Sequence, residues 1–147
     1  MYKKDSADEE SYIYVSKADK YRVLQFQFGS SCDFASLVES GASLEFEIRH
    51  KEPNFKMSIY FTDSEKNGLP WRAGFFPTVK DVPADGQWHK VKIPLSQFND
   101  FGAWDNYNQK WYSSQGKFIW TDVANLTFDT ADSTITKGLG IKNIVIK

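Results

Sequence analysis

Alternation of apolar and polar residues, repeated along most of the chain, is the feature that most restricts how this sequence can fold. In residues 21–28, YRVLQFQF, the side chains of Leu24, Phe26 and Phe28 fall on one side and the glutamines between them on the other. A period of two residues is that of a β-strand with one buried face. No segment carries the period of an amphipathic helix over several turns. The sequence therefore predicts an all-β protein.

Strands and turns follow one another along the whole chain. The predicted strands are 11–17, 21–28, 42–50, 54–61, 71–79, 88–95, 123–130 and 138–147. Residues 34–38 are a candidate for a further short extended piece, and SLVES at 36–40 and PLSQF at 94–98 are candidates for single turns. The segments between them are rich in Gly, Pro, Asn and Asp, which is typical of antiparallel sandwiches and barrels. The inward sets of Phe, Leu and Ile suffice to fill the gap of about 10 Å between two sheets. We therefore predict an antiparallel β-sandwich, a jelly roll.

Length and charge limit the class of protein. The 147 residues correspond to one domain. We expect residues 1–10, which are polar and acidic, to be a flexible lead-in, and 11–147 to be a single β-sandwich domain. A net charge of −1 provides no basic surface for nucleic acid, and no apolar run approaches the about 20 residues that membrane insertion needs. We expect a module of a larger multidomain protein that is secreted, periplasmic or on the cell surface.

Aromatic residues are the compositional outlier, at 16%. Several lie in residues 99–117, where the alternation stops and Asp, Asn, Gln, Ser and Gly separate the rings. We predict a long loop there. Long loops in compact domains are commonly functional, and disordered segments are poor in aromatics. Rings beside amides suit a polar, flat ligand, and sugars fit that chemistry best.

The candidate ligand-binding residues combine rings that can stack on a sugar with groups that bind hydroxyls. Indoles match the apolar C–H patch of a sugar face, and Arg supplies planar donors for paired hydroxyls. The alternative for each indole is a place in the core, and for each polar residue an ordinary solvated surface. The candidates are Trp71, Trp104 and Trp111 for stacking, and Arg72, Gln25, Gln27, Tyr60 and Asp105 for hydroxyls.

A catalytic alternative depends on Glu45 and Glu47. Side chains two apart on a strand lie roughly 6.6 Å apart on one face, and glycoside hydrolases use carboxylate pairs at such separations. A small β-sandwich glycosidase or lyase therefore stays open, beside the plainer reading of a solvated strand face. A third possibility is a structural spacer or docking domain.

No cofactor or metal motif is present in the sequence. The single Cys32 excludes an internal disulfide and a Cys-based zinc site. The two histidines are isolated. Structural calcium is open, because Asp8, Glu10, Asp129 and Asp132 supply carboxylates, but their spacing matches no calcium motif. We predict no cofactor and no catalytic residue.

Motifs in the second half of the chain point to a family. They are DGQWHKVKIPLSQF at 85–98, GAWD at 102–105, W-x4-G-K-F-x-W-x2-V-x2-L-x-F from Trp111 onward, and the closing GIKNIVI. This pattern resembles β-sandwich carbohydrate-binding modules attached to polysaccharide-degrading enzymes of gut Bacteroidetes.

The resemblance implies a non-catalytic module that binds a β-glucan or related plant or microbial polysaccharide and targets a linked enzyme to it. It also implies that residues 71–72 and 102–105 border the binding surface. Asn143 replaces an Asp that the family often carries in the last strand, which argues against a metal there.

Overall fold

Two antiparallel sheets face each other in the computed structural model, which describes residues 2–4 and 11–147. The strands are β1 (Tyr2–Lys4), β2 (Ser11–Val15), β3 (Val23–Cys32), β4 (Ser43–His50), β5 (Ser58–Asp63), β6 (Trp71–Phe75), β7 (His89–Pro94), β8 (Asn99–Asp105), β9 (Lys110–Ser113), β10 (Val123–Asp129) and β11 (Leu139–Ile146). Among the described residues, one sheet has the order β1-β2-β11-β4-β7 and the other β3-β10-β5-β6-β8-β9. The predicted β-sandwich is confirmed.

The core lies between the sheets, where the alternating apolar residues meet. On β4, Leu44 and Phe46 are at most 1% exposed, and on β5, Ile59 and Phe61 are fully buried. Phe46 packs edge-on against Phe128 of β10, with ring centroids 5.3 Å apart. Burial of such side chains is the main force that holds the sheets together, at about 1.5–3 kcal/mol for each one fully buried.

Among the described residues, helical structure is limited to short segments. The helix α1 (Ala35–Glu39) agrees with the predicted single turn at 36–40 and not with the extended piece predicted at 34–38. Asp33 Oδ1 accepts a hydrogen bond from Ala35 N at 2.9 Å just before the helix begins, and Leu37 and Val38 pack against the core. A 3-10 turn follows β7 at Leu95–Gln97. No helix within the described part of the chain is long and apolar enough to span a bilayer.

The predicted long loop at 99–117 is wrong, because most of it is the β8–β9 hairpin. A register shift between Arg72 and Ala73 leaves Phe101 without a partner on β6, as in a β-bulge. The bulge interrupts the period of two that would have marked β8 in the sequence.

The N-terminal prediction falls mainly outside the described residues. Within 1–10, Tyr2–Lys4 pairs antiparallel with β2 as β1. The remainder of the expected flexible lead-in lies outside the residues that the structure describes.

Candidate functional site

The outward face of the six-stranded sheet carries most of the predicted ligand-binding residues. Strand pairing brings its side chains into rows that cross the sheet. The Cα partners run Gln25, Thr127, Tyr60 and Gly74 in one row, and Gln27, Asn125, Thr62, Arg72 and Gly102 in the next. We call this surface the binding face.

Three rings form a continuous strip on the binding face, which we call the aromatic row: Phe76, Phe101 and Trp111. Phe76 and Phe101 meet edge-on with centroids 5.1 Å apart, and Phe101 and Trp111 are tilted by 31° with centroids 5.7 Å apart. Phe76 is 49% exposed and Trp111 is 41% exposed. The row therefore offers ring surface to solvent.

Two glycines make room for the aromatic row. A Cβ on Gly74 would lie 2.6 Å from the Phe101 ring. Gly102 has a φ of +133°, and a Cβ there would collide with the Tyr112 carbonyl oxygen and the Trp111 ring. Since only glycine lacks a Cβ, these positions let the rings lie flat against the backbone.

Arg72 lies at the centre of the binding face. Its guanidinium carbon is 4.5 Å from the Tyr60 ring centroid and 5.6 Å from that of Trp111, both cation–π distances. Its Nε is buried and has no hydrogen-bond partner among the described residues. Burial also raises the pKa of the Tyr60 hydroxyl, so this group stays protonated at neutral pH. The guanidinium at the centre of the face is thus held against two rings.

Gln25 and Gln27 lie on the same face at its far edge, on β3. Gln25 Nε2 donates to Thr127 Oγ1 at 3.1 Å, and Gln27 Nε2 donates to Gln25 Oε1. Three strand spacings of about 4.8 Å separate β3 from β6. The amides therefore stand well apart from the aromatic row and close to the other end of the face.

The expectation that Trp71 offers its ring to a ligand is wrong. Trp71 is 1% exposed, and its Nε1 donates to the Asn67 carbonyl oxygen at 3.2 Å. Neighbouring residues on a strand point to opposite faces. Since Arg72 points outward, Trp71 points into the sandwich.

Asp105 also differs from its predicted role. Its Oδ1 accepts hydrogen bonds from the backbone N of Tyr107 and of Asn108, both at 3.0 Å, and its Oδ2 accepts from Asn108 Nδ2 at 2.7 Å. The backbone bond from Asn108 is the main cause that lowers the pKa of Asp105. This carboxylate holds the β8–β9 turn, and its oxygens are not free for sugar hydroxyls.

Trp104 is half-buried and is the cross-strand partner of Trp111. It therefore stands at the end of the aromatic row, beside a cleft between two loops.

Phe76 and Phe101 were not among the predicted site residues. The sequence contained a signal for Phe76. It lies an even number of residues after Arg72, so along a continuous strand both side chains point to the same face. Phe101 could not be placed in this way, since it is the extra residue of the bulge.

The carboxylates of the catalytic alternative lie on the other sheet. Glu45 is 6% exposed and lies 3.4 Å from Lys90 Nζ, and Glu47 accepts a hydrogen bond from Asn143 Nδ2 at 2.6 Å. A glycosidase needs both carboxyl groups beside a sugar and a water. Glu45 is too buried for that arrangement.

No group of three or more His, Cys, Asp or Glu residues within the described chain could hold a metal ion. Asp129 Oδ1 accepts a hydrogen bond from Ala131 N at 2.7 Å, and Asp132 pairs with Lys56 at 2.7 Å. The other calcium candidates, Asp8 and Glu10, lie outside the described residues.

Comparison with known proteins gives a family and several structures of the same fold. Residues 7–147 match the family model described as Carbohydrate binding domain 30. The structure is similar to the family 30 carbohydrate-binding module of cellulosomal cellulase Cel9D-Cel44B of Clostridium thermocellum, with a TM-score of 0.67 and 18% identity over 99% of this chain and 81% of that one.

Two structures of family 11 modules from Clostridium thermocellum are also similar. The module of cellulosomal cellulase Lic26A-Cel5E gives a TM-score of 0.64 and 14% identity over 98% of this chain and 78% of that one. A complex with a β-1,3-1,4-mixed-linked tetrasaccharide gives 0.54 and 11% over 90% and 86%. No curated protein matches the chain.

Proposed function

Because this chain belongs to the family of carbohydrate binding domain 30, we propose that its binding face holds a neutral β-glucan or a related glycan. Modules of this family are non-catalytic, and the chain is accordingly a carbohydrate-binding module. The observation that supports this surface most is the exposed aromatic row, with the Arg72 guanidinium beside it.

Each part of the binding face has a separate role in this proposal. The rings of Phe76, Phe101 and Trp111 stack on the apolar faces of successive sugars. Arg72 donates to hydroxyls at the centre, and Gln25 and Gln27 bind hydroxyls at the opposite edge. A related family 11 module has been captured with a β-1,3-1,4-mixed-linked tetrasaccharide, which makes mixed-linkage glucan the first ligand to try.

The module serves to keep a linked enzyme on its polysaccharide. Tethering raises the local concentration of the enzyme without any new contact. The similar modules come from cellulosomal cellulases, which supports a place in a larger protein that is secreted, periplasmic or on the cell surface.

Titration calorimetry with mixed-linkage β-glucan tests the proposal. We expect a micromolar-to-millimolar dissociation constant, about −4 to −8 kcal/mol, because water competes for every hydroxyl. Trp111→Ala should weaken binding at least tenfold. Trp88→Ala, which removes an indole from the other sheet, is the control and should leave affinity unchanged once folding is verified by circular dichroism.

Equal affinity of the Trp111 and Trp88 variants would refute this binding face. Absence of binding to every glucan, mannan and xylan tried would favour a spacer domain instead.

No cofactor takes part in the proposed binding. Calorimetry in the presence of a chelator should give the same affinity as in its absence, and a loss of binding would show that a metal is needed.

A further inference from the structure

A cleft opens at the end of the binding face, beyond the aromatic row. It lies between the loop 64–70, which joins β5 to β6, and the turn 106–109, which joins β8 to β9. Its volume is about 690 Å³. Leu69 and Pro70 line it from the first loop, and Trp104 and Tyr107 from the hairpin.

The cleft continues the surface that carries the aromatic row. Trp104 is the direct cross-strand partner of Trp111, and directly paired residues point to the same face. Both rings are at least partly open to solvent. Trp104 and Trp111 therefore lie side by side across β8 and β9. A glycan chain that passes over this pair towards the β8–β9 turn reaches the cleft, which Trp104 also lines.

The hairpin wall of the cleft is held in place. The three hydrogen bonds that Asp105 accepts fix the turn, and Gln109 Nε2 donates to the Asn106 carbonyl oxygen at 2.6 Å. On this ordered turn Tyr107 is 95% exposed. A large ring presented on a fixed backbone loses little entropy when it binds, which is typical of a recognition residue.

The opposite wall is held as well. Asn67 Nδ2 donates to the Lys117 carbonyl oxygen at 2.9 Å, and Lys66 Nζ lies 2.8 Å from Asp122 Oδ2. The hydrogen bond from Lys66 is the main cause that lowers the pKa of Asp122 to about 2. Both walls are therefore preformed.

The charge of the cleft selects among sugars. Within the part of the chain that the structure describes, its charged lining residues are Glu65 and Asp105, and no Lys or Arg lines it. Acidic sugars such as uronic acids would be repelled, whereas a neutral sugar can stack on a ring and bond to the amides of Asn106 and Asn108.

We propose that this cleft is a terminal subsite, which takes a neutral sugar residue of a chain that extends past the aromatic row. The inference rests on the proposed function of the binding face. The cleft adds a second zone of contact to the aromatic row, so the affinity for an oligosaccharide should depend on its length.

The test is calorimetry with neutral β-gluco-oligosaccharides of increasing length. For the unaltered chain, affinity should rise with length until the cleft is filled. Tyr107→Ala should lower affinity for the longer oligosaccharides by about two- to tenfold and leave the shortest ones unchanged, whereas Trp111→Ala should weaken binding at every length. Tyr107→Phe keeps the ring and should retain most of the gain.

Two controls sharpen the result. Tyr21→Ala removes another exposed tyrosine, which lies just before β3 and is 69% exposed. This variant should leave the length dependence intact. With oligouronides of matched length the gain should be absent in the unaltered chain, and Glu65→Gln should restore part of it.

A length dependence that survives Tyr107→Ala and Trp104→Ala would overturn the subsite while leaving the binding face standing. Failure of the unaltered chain to bind any neutral oligosaccharide, short or long, would overturn both proposals together.

Discussion

At the scale of single residues, the site depends on which side of a strand each side chain occupies. The β6 strand shows this most clearly, since Trp71 is buried in the sandwich and Arg72 is on the binding face. Because side chains alternate along a strand, the sequence alone predicts that Trp71 and Arg72 lie on opposite faces of the sheet. It does not say which of them points inward, because Trp and the alkyl part of Arg can both be buried. The sequence therefore separates Trp71 and Arg72 onto opposite faces but does not determine which of the two is buried.

Arg72 should contribute more than charge. A Lys at this position keeps the cation but loses the planar fork and the Nε donor. We expect Arg72→Lys to weaken glucan binding by about 1.5–3 kcal/mol, the range for hydrogen bonds to charged groups. Calorimetry measures the change. Equal affinity of the Lys variant and the unaltered chain would show that only charge matters here.

Asp63 carries an electrostatic cost in the folded state. It is 2% exposed, and no residue that the structure describes is a hydrogen-bond partner of its Oδ2. Burial is the main cause that raises its pKa, and the nearby Asp100 adds to the effect. Because the pKa of Asp63 is raised in the folded state, the protonated carboxyl stabilises the fold at pH values below about 3.9, the usual pKa of Asp. This contribution is lost as the pH rises through the pKa of the folded state.

Asp63→Asn should therefore keep or raise stability at neutral pH. The amide oxygen can still accept the bonds that Asp63 Oδ1 receives from Glu65 N and Trp71 N, both at 3.1 Å. Asp63→Ala removes that acceptor and should cost about 1–3 kcal/mol. Urea unfolding at neutral pH measures both. An Asn variant as unstable as the Ala variant would show that the charge itself is needed.

At the scale of elements, the alternation of apolar and polar residues located strands wherever one face is uniformly buried. β4 and β10 are such strands, and the predicted segments 42–50 and 123–130 cover them. The β8–β9 hairpin was missed for two physical reasons. The bulge at Phe101 breaks the period. Phe101 and Trp111 also lie on the proposed binding face, where rings replace the polar residues expected on an outward face.

Gly102 is the position on which the hairpin depends. A side chain there collides with the Tyr112 carbonyl oxygen and the Trp111 ring at a φ of +133°. Gly116 also has a positive φ, of +66°, but has open space around it. We expect Gly102→Ala to lower the melting temperature more than Gly116→Ala, and to weaken glucan binding as Trp111 is displaced. Thermal unfolding and calorimetry compare the two. Similar losses in both variants would show that backbone strain alone is responsible.

At the scale of the whole molecule, one sheet of the sandwich provides the binding face and the other supports it. The loops at the ends of the sandwich are held by buried polar groups. His50 is an example, with 2% exposure. Its Nε2 donates to the Val82 carbonyl oxygen at 2.8 Å, and its Nδ1 accepts from Glu52 N at 3.0 Å. This pairing requires the neutral imidazole.

His50 should make stability depend on pH. Burial lowers its pKa in the folded state, so below the usual value of about 6.5 the unfolded chain binds a proton that the folded chain does not. Stability should fall as pH drops from about 7.5 towards 5. His50→Gln should be less stable by about 1–3 kcal/mol at neutral pH and should show a smaller fall. Urea unfolding across this pH range measures the free energy of unfolding of both proteins. An equal fall of stability with pH in both would contradict the assignment to His50.

If a polysaccharide lies on the aromatic row, the indole N–H signals of the tryptophans report its binding directly. In a nuclear magnetic resonance titration with a mixed-linkage gluco-oligosaccharide, we expect the Trp111 signal to shift strongly. The signals of Trp88, which packs against the other sheet, and Trp71, in the core, should stay nearly unchanged. A shift at Trp88 with none at Trp111 would show that the sugar binds elsewhere.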